Sequence, residues 1–310
     1  CSTRQHANGS MTYSHTALTP VLVKPGTDKV MPLAPEFVRP QDGAEKQDCA
    51  LNAAKRWLAA WGDDYRPFGV TLLGDDLYCH EPFCREALQR GFGFILVCKP
   101  ASHPTVSEWV EFLDRGGAVR TVVQRRWTGQ RREIDTYRYA PAIPLRDGED
   151  ALSVNWCELT TTDESGHVLY HNTFVTHLAL DDRTVPEVVA AGRCRWKIEN
   201  ENNNTLKTKG YHFEHNYGHG QQHLSSVLAS LIILAFLVHT VLEWMDDQYP
   251  LLRRKLPSRR RLFGDIRTLT SYLCFENWDA LMTFMLHSFE PGRVVPVRLE
   301  PSPPLEPAPP

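Results

Sequence analysis

The sequence predicts an α/β fold, because short apolar runs of strand type alternate with amphipathic helical patterns in its amino-terminal third. Phe68 to Leu73 and Phe92 to Cys98 are such runs, and Glu81 to Arg90 between them has helical periodicity. A strand–helix–strand unit favours a parallel pair of strands within an α/β sheet. The chain has 310 residues, of which 42% are apolar, so it can bury a substantial core.

Two β-rich runs precede this unit. They are Tyr13 to Val23 and Val30 to Val38, and the pair Pro25-Gly26 separates them as a predicted turn. Glu45 to Trp61 follows as a predicted helix. The apolar residues that share one face of this helix are Ala53, Ala54, Trp57 and Leu58.

The pattern changes after the parallel pair. A short helix at Val106 to Leu113 precedes alternating runs that predict antiparallel strands. These runs are Val119 to Trp127, Glu133 to Tyr139, Ser153 to Thr160 and His167 to Leu180. We interpret residues 106–182 as an antiparallel β insertion between a first part of the core, residues 1–105, and its remainder, residues 183–290.

The remaining segments are predicted to be helical until the tail. A helix follows Asp181 to Pro186 and continues towards Glu199, and the long helix Gln221 to Asp247 comes next. Its apolar run is short and interrupted by polar residues, which favours a buried core helix over a membrane span. Residues 291–310 contain eight prolines, so this tail is predicted to be disordered.

Charge and cysteine content narrow the function classes. The formal net charge of -3 excludes a uniformly basic nucleic-acid coat but leaves room for local basic patches. The eight cysteines show no paired C-x-x-C spacing, and no secretory signal is present in the sequence, so we interpret them as reduced intracellular thiols.

The densest group of charged side chains lies in the stretch from Arg193 to Gly220. Glu199 follows Arg195 by one helical turn, and Lys207 and Lys209 come two turns further on. Such a pattern suits a site that holds a metal ion and contacts phosphates. The alternative is an exposed helix on which Glu199 only pairs with Arg195. Poor helix formers at Asn202 to Asn204, inside a predicted helix, favour a functional site.

Two acidic residues follow the first strand of the parallel pair. Asp75 and Asp76 stand at its carboxyl end, where α/β sheets bind their ligands. A turn or a helix cap is the alternative role for this pair.

An arginine-rich segment, Gln124 to Arg132, is a second candidate for contact with nucleic acid. Its arginines would neutralise phosphates and its tryptophan would stack on an unpaired base, unless the segment is a solvated hairpin tip. The residues concerned are Arg125, Arg126, Trp127, Arg131 and Arg132. A further basic segment runs from Arg253 to Arg261.

Four histidines are spaced three, four and four residues apart, as zinc ligands on one helix face can be. They are His212, His215, His219 and His223. The glycines Gly218 and Gly220 disfavour a continuous helix here, so packing or phosphate contacts are the alternative roles.

The segment R-W-K-I-E-N-E-N-N-N-T-L-K, Arg195 to Lys207, resembles the carboxyl-terminal signature of DDE transposases of the bacterial insertion-sequence-4-like group. That signature reads tyrosine, two residues, arginine, three residues, glutamate, six residues, lysine. Arg195 and Glu199 match its arginine and its catalytic glutamate. The tyrosine position is Gly192 and the lysine position is Leu206, so Lys207 or Lys209 would replace the lysine.

The run Gly74 to Tyr78 resembles the second aspartate motif of the same family, an aspartate with an aromatic residue three positions later. This points to Asp75 as a ligand, with Asp76 as the second choice. The resemblance implies a ribonuclease-H-like core in which Asp75 and Glu199 are two of three carboxylates that bind Mg²⁺ or Mn²⁺. It also implies that Arg195 and Lys207 or Lys209 hold phosphates of the DNA.

The third carboxylate of this family lies on the first strand of the core. Asp28, Asp42 and Asp48 are poor matches, because they fall in turns or at a helix start. We therefore expect an amino-terminally truncated transposase, whose first catalytic aspartate precedes Cys1. The resemblance further implies transposon-end and target DNA as partners, a homodimer on paired ends, no membrane contact, and a cytoplasmic, nucleoid-associated location in a bacterium.

Two other functions stay open at this point. One is a catalytically inactive remnant that only binds DNA through its arginine-rich segments. The other is a zinc-dependent hydrolase built on the histidine cluster, which elemental analysis would distinguish from a Mg²⁺ enzyme.

Overall fold

The computed structural model describes residues 2–39, 48–218, 220–256 and 258–289. It shows a mixed α/β protein with a six-stranded sheet, so the predicted fold class is confirmed at this level. The strands are β1 (Ser2–Gln5), β2 (Met11–Ser14), β3 (Ala17–Leu18), β4 (Val21–Leu22), β5 (Met31–Pro32), β6 (Glu36–Phe37), β7 (Thr71–Gly74), β8 (Gly93–Val97), β9 (Arg120–Trp127), β10 (Arg132–Pro144), β11 (Ser153–Asp163) and β12 (Val168–Thr176).

Helices cover both faces of the sheet and form most of the carboxyl-terminal part. They are α1 (Ala50–Tyr65), α2 (Glu81–Gln89), α3 (Pro104–Arg115), α4 (Thr184–Arg193), α5 (Asn204–Thr208), α6 (Leu224–Met245), α7 (Tyr249–Lys255), α8 (Arg259–Tyr272) and α9 (Trp278–His287). The start predicted for the first helix, Glu45, and the proline-rich tail, residues 291–310, lie outside the described residues.

The six-stranded sheet has the order β7-β8-β12-β11-β10-β9. β7 and β8 are parallel, as the strand–helix–strand pattern predicts, and the remaining neighbours are antiparallel. The predicted antiparallel strands therefore exist, and β12 joins them directly to the parallel pair. The sheet is continuous from β7 at one edge to β9 at the other.

The strand β8 lies in the middle of the core, because its side chains alternate between two buried clusters. Phe94 and Leu96 pack with apolar residues of α1, α2 and α3, whereas Ile95 and Val97 pack beneath α4. The four residues predicted for the buried face of the first helix are each at most 8% exposed. Burial of such side chains contributes roughly 1.5–3 kcal/mol each, so these two layers hold the sheet and its helices together.

The first two predicted β runs form one interrupted hairpin, β3–β6 and β4–β5, apart from residues 13–14, which belong to β2 and pair with β1. Among the described strands this hairpin pairs only with itself. Pro20 and Pro35 interrupt the ladder, because proline has no backbone N–H to donate. The turn predicted at Pro25-Gly26 is confirmed, and Gly26 adopts a φ of +77° there. We call this element, residues 17–37, the amino-terminal hairpin.

The predicted strand at Phe68 to Leu73 begins later than expected. Residues 66–68 form a 3-10 turn, the Phe68 side chain is 77% exposed, and the strand starts at Thr71. The apolar run is thus not fully buried, because β7 lies at the edge of the sheet.

Helix α6 is less buried than the sequence predicts. Only Ile233, Phe236 and Thr240 are fully buried along its length. The helix is long and apolar enough to cross a membrane, with a mean hydropathy of 2.3, although one helix of this kind is weak support for a membrane span. The buried stripe of α6 packs on the amino-terminal hairpin, through Val30, and on Leu206 and Tyr211.

Candidate functional site

A pocket of about 500 Å³ lies at the free edge of β7. Its walls are the amino-terminal hairpin, helix α1, strand β7 and the helical segment that follows α4. The lining is mostly apolar and includes Leu18, Val21, Trp57, Leu58, Leu72 and Phe92. Two carboxylates line this pocket, Asp75 and Glu199, together with Arg195 and Asn203. The structure therefore brings together the residues that the sequence predicts from two separate motifs.

Asp75 stands at the carboxyl end of β7 and begins a 3-10 turn at residues 76–78. Its Oδ1 accepts a hydrogen bond from the backbone N–H of Leu77 at 3.1 Å, so the predicted capping role is present as well. The side chain is exposed, and the second carboxylate oxygen has no hydrogen bond within the described residues. Asp75 can thus serve as a cap and as a ligand.

Asp76 takes a different direction from its neighbour. Its Oδ1 accepts a hydrogen bond from the backbone N–H of Lys99 at 2.7 Å and lies 3.3 Å from Nε2 of His103. Asp76 does not line the pocket. Of the two aspartates, Asp75 is therefore the one that shares a pocket with Glu199.

Glu199 lies on a π-helical turn, Ile198–Asn203, within an almost unbroken helical segment from Thr184 to Thr208. The N–H of Asn204 donates to the Glu199 carbonyl, five residues back, as a π turn requires. Single π turns inside helices are frequent at functional sites. The Arg195 guanidinium lies 3.6 Å from the Glu199 carboxylate, which is 69% exposed, so this surface ion pair contributes at most a few tenths of a kcal/mol.

Polar contacts fasten the π turn to the amino-terminal hairpin. The buried Lys197 ammonium donates hydrogen bonds to the backbone carbonyls of Lys24 and Thr27, next to the hairpin turn. The Thr19 hydroxyl donates a hydrogen bond to Oδ1 of Asn203 at 3.3 Å. The side-chain amide of the fully buried Asn202 donates hydrogen bonds to the same two side chains. Asn202 and Asn203, which are poor helix formers, thus hold the π turn against the amino-terminal hairpin.

The two positions that depart from the transposase signature are packing positions. A Cβ at Gly192 would lie 3.0 Å from side-chain atoms of Ile95 and Phe174, because α4 passes directly over the sheet. Leu206 is completely buried against the hairpin and α6. A tyrosine at 192 or a lysine at 206 would therefore not fit this packing.

The two lysines that could replace the signature lysine are both exposed. Lys207 pairs with Glu214 at 2.7 Å, whereas no ion pair of Lys209 occurs within the described residues. Neither lysine lines the pocket. Their predicted phosphate contacts would have to form outside it.

The arginine-rich segment forms the turn between β9 and β10, at the sheet edge opposite to the pocket. Three of its four arginines are paired with carboxylates: Arg126 with Glu133 and Asp135, Arg131 with Glu133, and Arg132 with Glu164. Among the described residues, Arg125 has no such partner, and the Trp127 side chain is 64% exposed. Self-pairing lowers the positive charge that this hairpin can offer to DNA.

The second basic segment is largely structural. The guanidinium groups of Arg253 and Arg259 both contact the Glu243 carboxylate, at 3.3 and 3.0 Å, and tie α7 and α8 to α6. Arg261 pairs with Asp265 on its own helix. Arg254, Lys255 and Arg260 are exposed and are the side chains of this segment best placed to contact phosphates.

The histidines do not share a helix face. Residues 211–218 are not helical, Gly218 and Gly220 have φ values of +77° and +63°, and α6 begins only after His223. His212, His215 and His223 are exposed and form no metal-ligating group within the described residues. His219 lies outside those residues. The other three histidines do not support the zinc-hydrolase hypothesis.

Asp28 and Asp48 do not line the pocket. Asp28 is exposed in the hairpin turn region, and Asp42 lies outside the described residues. Asp48 is buried and its carboxylate accepts hydrogen bonds from Arg56 at 2.8 and 3.0 Å. This arginine lowers the pKa of Asp48 from 3.8 to about 2, so the pair is a structural contact that joins α1 to the chain after the hairpin.

One group of potential metal ligands was not anticipated from the sequence. Within the described residues, Cys79, Cys98 and His103 are the group of three whose ligand atoms all lie within 4.8 Å of one another. The hydrogen bond between the two sulfurs and burial raise the pKa of the Cys79 thiol, and burial lowers the pKa of His103. The sequence signal was available, since both cysteines follow strands predicted to be parallel and the carboxyl ends of such strands meet at one sheet edge.

No protein-family model matches the chain, and no curated protein matches it in sequence. The transposase resemblance therefore depends on the motifs around Asp75 and Glu199 alone.

Proposed function

We propose that this protein is a DNA transposase with a ribonuclease-H-like core, which cleaves and joins phosphodiester bonds at the pocket beside β7. The observation that carries the proposal is the shared pocket of Asp75 and Glu199, which belong to motifs more than a hundred residues apart. Asp75 lies at the carboxyl end of a parallel strand, where α/β sheets place their ligands, and Glu199 lies on a π turn.

The donor set of the pocket fits Mg²⁺ or Mn²⁺. Both ions prefer oxygen ligands, and Mg²⁺ is commonly bound by one or two carboxylates together with water and substrate phosphates. Asp75 and Glu199 would hold the metal, which would supply Lewis-acid activation of water or a DNA 3′-hydroxyl. Arg195, on the same pocket wall, would bind and orient a phosphate of the DNA.

The edge of β7 suggests where a third carboxylate would enter. Among the described residues β7 pairs only with β8, and its other edge faces the pocket and the amino-terminal hairpin. A further strand that pairs with this edge in parallel would occupy the apolar part of the pocket and end beside Asp75, so that Asp75, Glu199 and Arg195 would still be available to the metal and the DNA. We propose that such a strand carries the third carboxylate of the site and joins the hairpin to the sheet.

Partners and location follow from the same proposal. Transposon ends and target DNA would be the substrates, and a homodimer would hold two paired ends in the bacterial cytoplasm, on the nucleoid. Arg125, Trp127, Arg254, Lys255 and Arg260 are the exposed side chains that would contact DNA outside the pocket.

The test is a nicking assay with purified protein and Mn²⁺ on supercoiled DNA. Asp75→Asn and Glu199→Gln should each lower the nicking rate by about 100-fold or more, since each removes a charged metal ligand. Glu201→Gln is the matched control, because Glu201 lies on the same π turn but does not line the pocket. DNA binding should be largely unchanged in all three variants. Undiminished nicking by Glu199→Gln would remove this residue from the metal site.

The second candidate function is a catalytically inactive DNA-binding protein. It is favoured by one observation: among the described residues, only two carboxylates line the pocket. Under this alternative, the unmodified protein binds DNA but does not nick it at any Mn²⁺ concentration, and the Asp75 and Glu199 variants behave like the unmodified protein.

A further inference from the structure

A second cluster of potential ligands lies on the other side of the turn that carries Asp75. Cys79 directly follows the 3-10 turn after β7, Cys98 directly follows β8, and His103 is the residue before α3. Because β7 and β8 are parallel, their carboxyl ends bring these three residues to the same edge of the sheet.

The three side chains are arranged as a compact and dry site. Cys79 is completely buried, Cys98 is 2% exposed and His103 is 6% exposed. One ligand atom from each lies within 4.8 Å of the other two. Around a tetrahedral zinc ion, neighbouring sulfur and nitrogen ligands are about 3.5–3.8 Å apart, so a small inward movement of the side chains would accommodate the ion.

His103 gives an independent indication of a ligand. Its Nε2 is buried, and its contact with the Asp76 carboxylate does not have the geometry of a good hydrogen bond. Oδ1 of Asp76 lies 3.3 Å from this nitrogen.

We propose that Cys79, Cys98 and His103 bind a zinc ion, since one ligand atom from each already lies within 4.8 Å of the other two. Two thiolates and an imidazole suit zinc and exclude Mg²⁺, which requires oxygen ligands. The ion would be structural, because all three side chains are buried.

Such an ion would link three elements at the edge where Asp75 lies. It would join the turn after β7, the end of β8 and the start of α3. The 3-10 turn between Asp75 and Cys79 would then be fixed at both ends, at Gly74 by the sheet and at Cys79 by the ion. The proposed zinc site does not depend on transposase activity, since it is tested by measuring the metal content of the protein.

The experiment is metal analysis of the purified full chain after zinc loading and desalting. We expect about one zinc ion per chain, and an affinity for zinc that drops by about 100-fold or more in Cys79→Ser and in His103→Asn. Cys157→Ser is the matched control, because Cys157 is equally buried but lies in the other core cluster, away from the site. The control should retain stoichiometric zinc.

A measurement on the unmodified protein avoids dependence on variants that fail to fold. Loading with Co²⁺ in place of zinc should give thiolate-to-cobalt charge-transfer absorption in the near ultraviolet, and added zinc should remove it. Two outcomes would overturn the proposal: metal content far below one ion per chain after zinc loading of reduced protein, or cobalt spectra without charge-transfer bands.

Discussion

The two edges of the six-stranded sheet differ in length, polarity and cover. β9 has eight residues, which are mostly exposed, and two arginines stand near its outer end, Arg125 and the ion-paired Arg126. β7 has four residues and faces a largely apolar pocket under the amino-terminal hairpin. Charged side chains prevent an edge strand from pairing with another chain, whereas a short apolar edge without such charges can pair with a further strand. Among the described residues, β9 is therefore the edge that its charges protect against further pairing, whereas β7 is the edge that other elements cover.

The largest expected contrast is between two tryptophans, one at each edge. Trp57 is 6% exposed, lines the pocket and donates a hydrogen bond from Nε1 to the carbonyl of Ala34 at 2.8 Å. Trp57→Ala should lower the free energy of unfolding by about 3–5 kcal/mol. Trp127 is 64% exposed, and Trp127→Ala should change it by no more than about 0.5 kcal/mol. Chemical denaturation followed by circular dichroism measures both values.

Similar losses from the two substitutions would contradict this prediction, because the pocket wall would then contribute no more stability than the solvent-exposed edge. A large loss confined to Trp57→Ala would show that the hairpin and α1 form a firm wall opposite β7.

A smaller effect is expected at Asp48, which anchors the same wall through Arg56. The pKa of Asp48 in the folded protein, about 2, lies below its usual value of 3.8 because Arg56 stabilises the ionised form. The stabilisation is therefore complete above about pH 4 and is lost as the pH falls towards 2. Asp48→Asn should remove about 2 kcal/mol of stability at pH 7.

Denaturation at several pH values checks this prediction. The difference between the unmodified protein and Asp48→Asn should shrink as the pH falls from about 4 to about 2. Asp28→Asn serves as the control, because Asp28 is exposed and should leave the profile unchanged. A constant difference across this range would mean that Asp48 acts through packing instead of charge.

The smallest effect concerns DNA binding by the opposite edge. Arg125 has no carboxylate partner within the described residues, whereas Arg126 is paired with Glu133 and Asp135. If the hairpin contacts phosphates, Arg125→Gln should reduce the slope of log K against log salt concentration by about 1. Arg126→Gln should reduce it less, because that charge is already neutralised. Fluorescence anisotropy over a salt series measures the slopes, and equal slopes in all proteins would exclude this hairpin as a DNA contact.

Local patterns predicted the elements of this fold well. The apolar face of α1, the parallel pair β7 and β8 with α2 between them, and the four antiparallel strands all follow from periodicity and turn residues. The pairing of β8 with β12, which joins the two parts of the sheet, could not be predicted in this way, since roughly eighty residues separate the two strands in sequence. Periodicity carries no information about a pairing partner so distant.

The candidate site was predicted only in part, for the same reason. The motifs identified Asp75 and Glu199 separately, and the structure shows that both line one pocket. The sequence also suggested DNA-binding roles for arginines whose carboxylate partners, such as Glu164 for Arg132, lie on another turn. The cluster of Cys79, Cys98 and His103 was missed because it assembles from three elements and has no characteristic spacing along the chain.

The π turn after Ile198 also changes how distances along the sequence translate into directions in space. In a regular α-helix, seven residues complete two turns, whereas an extra residue in a π turn makes that count eight. Counted from Glu199, the exposed residue two turns on is therefore Lys207, and Leu206 is left to face the core. A sequence signature with fixed spacing between glutamate and lysine is therefore displaced by one residue when a π turn lies between them. Removing one residue from it would rotate everything downstream by about 100° and exchange the surroundings of these two side chains.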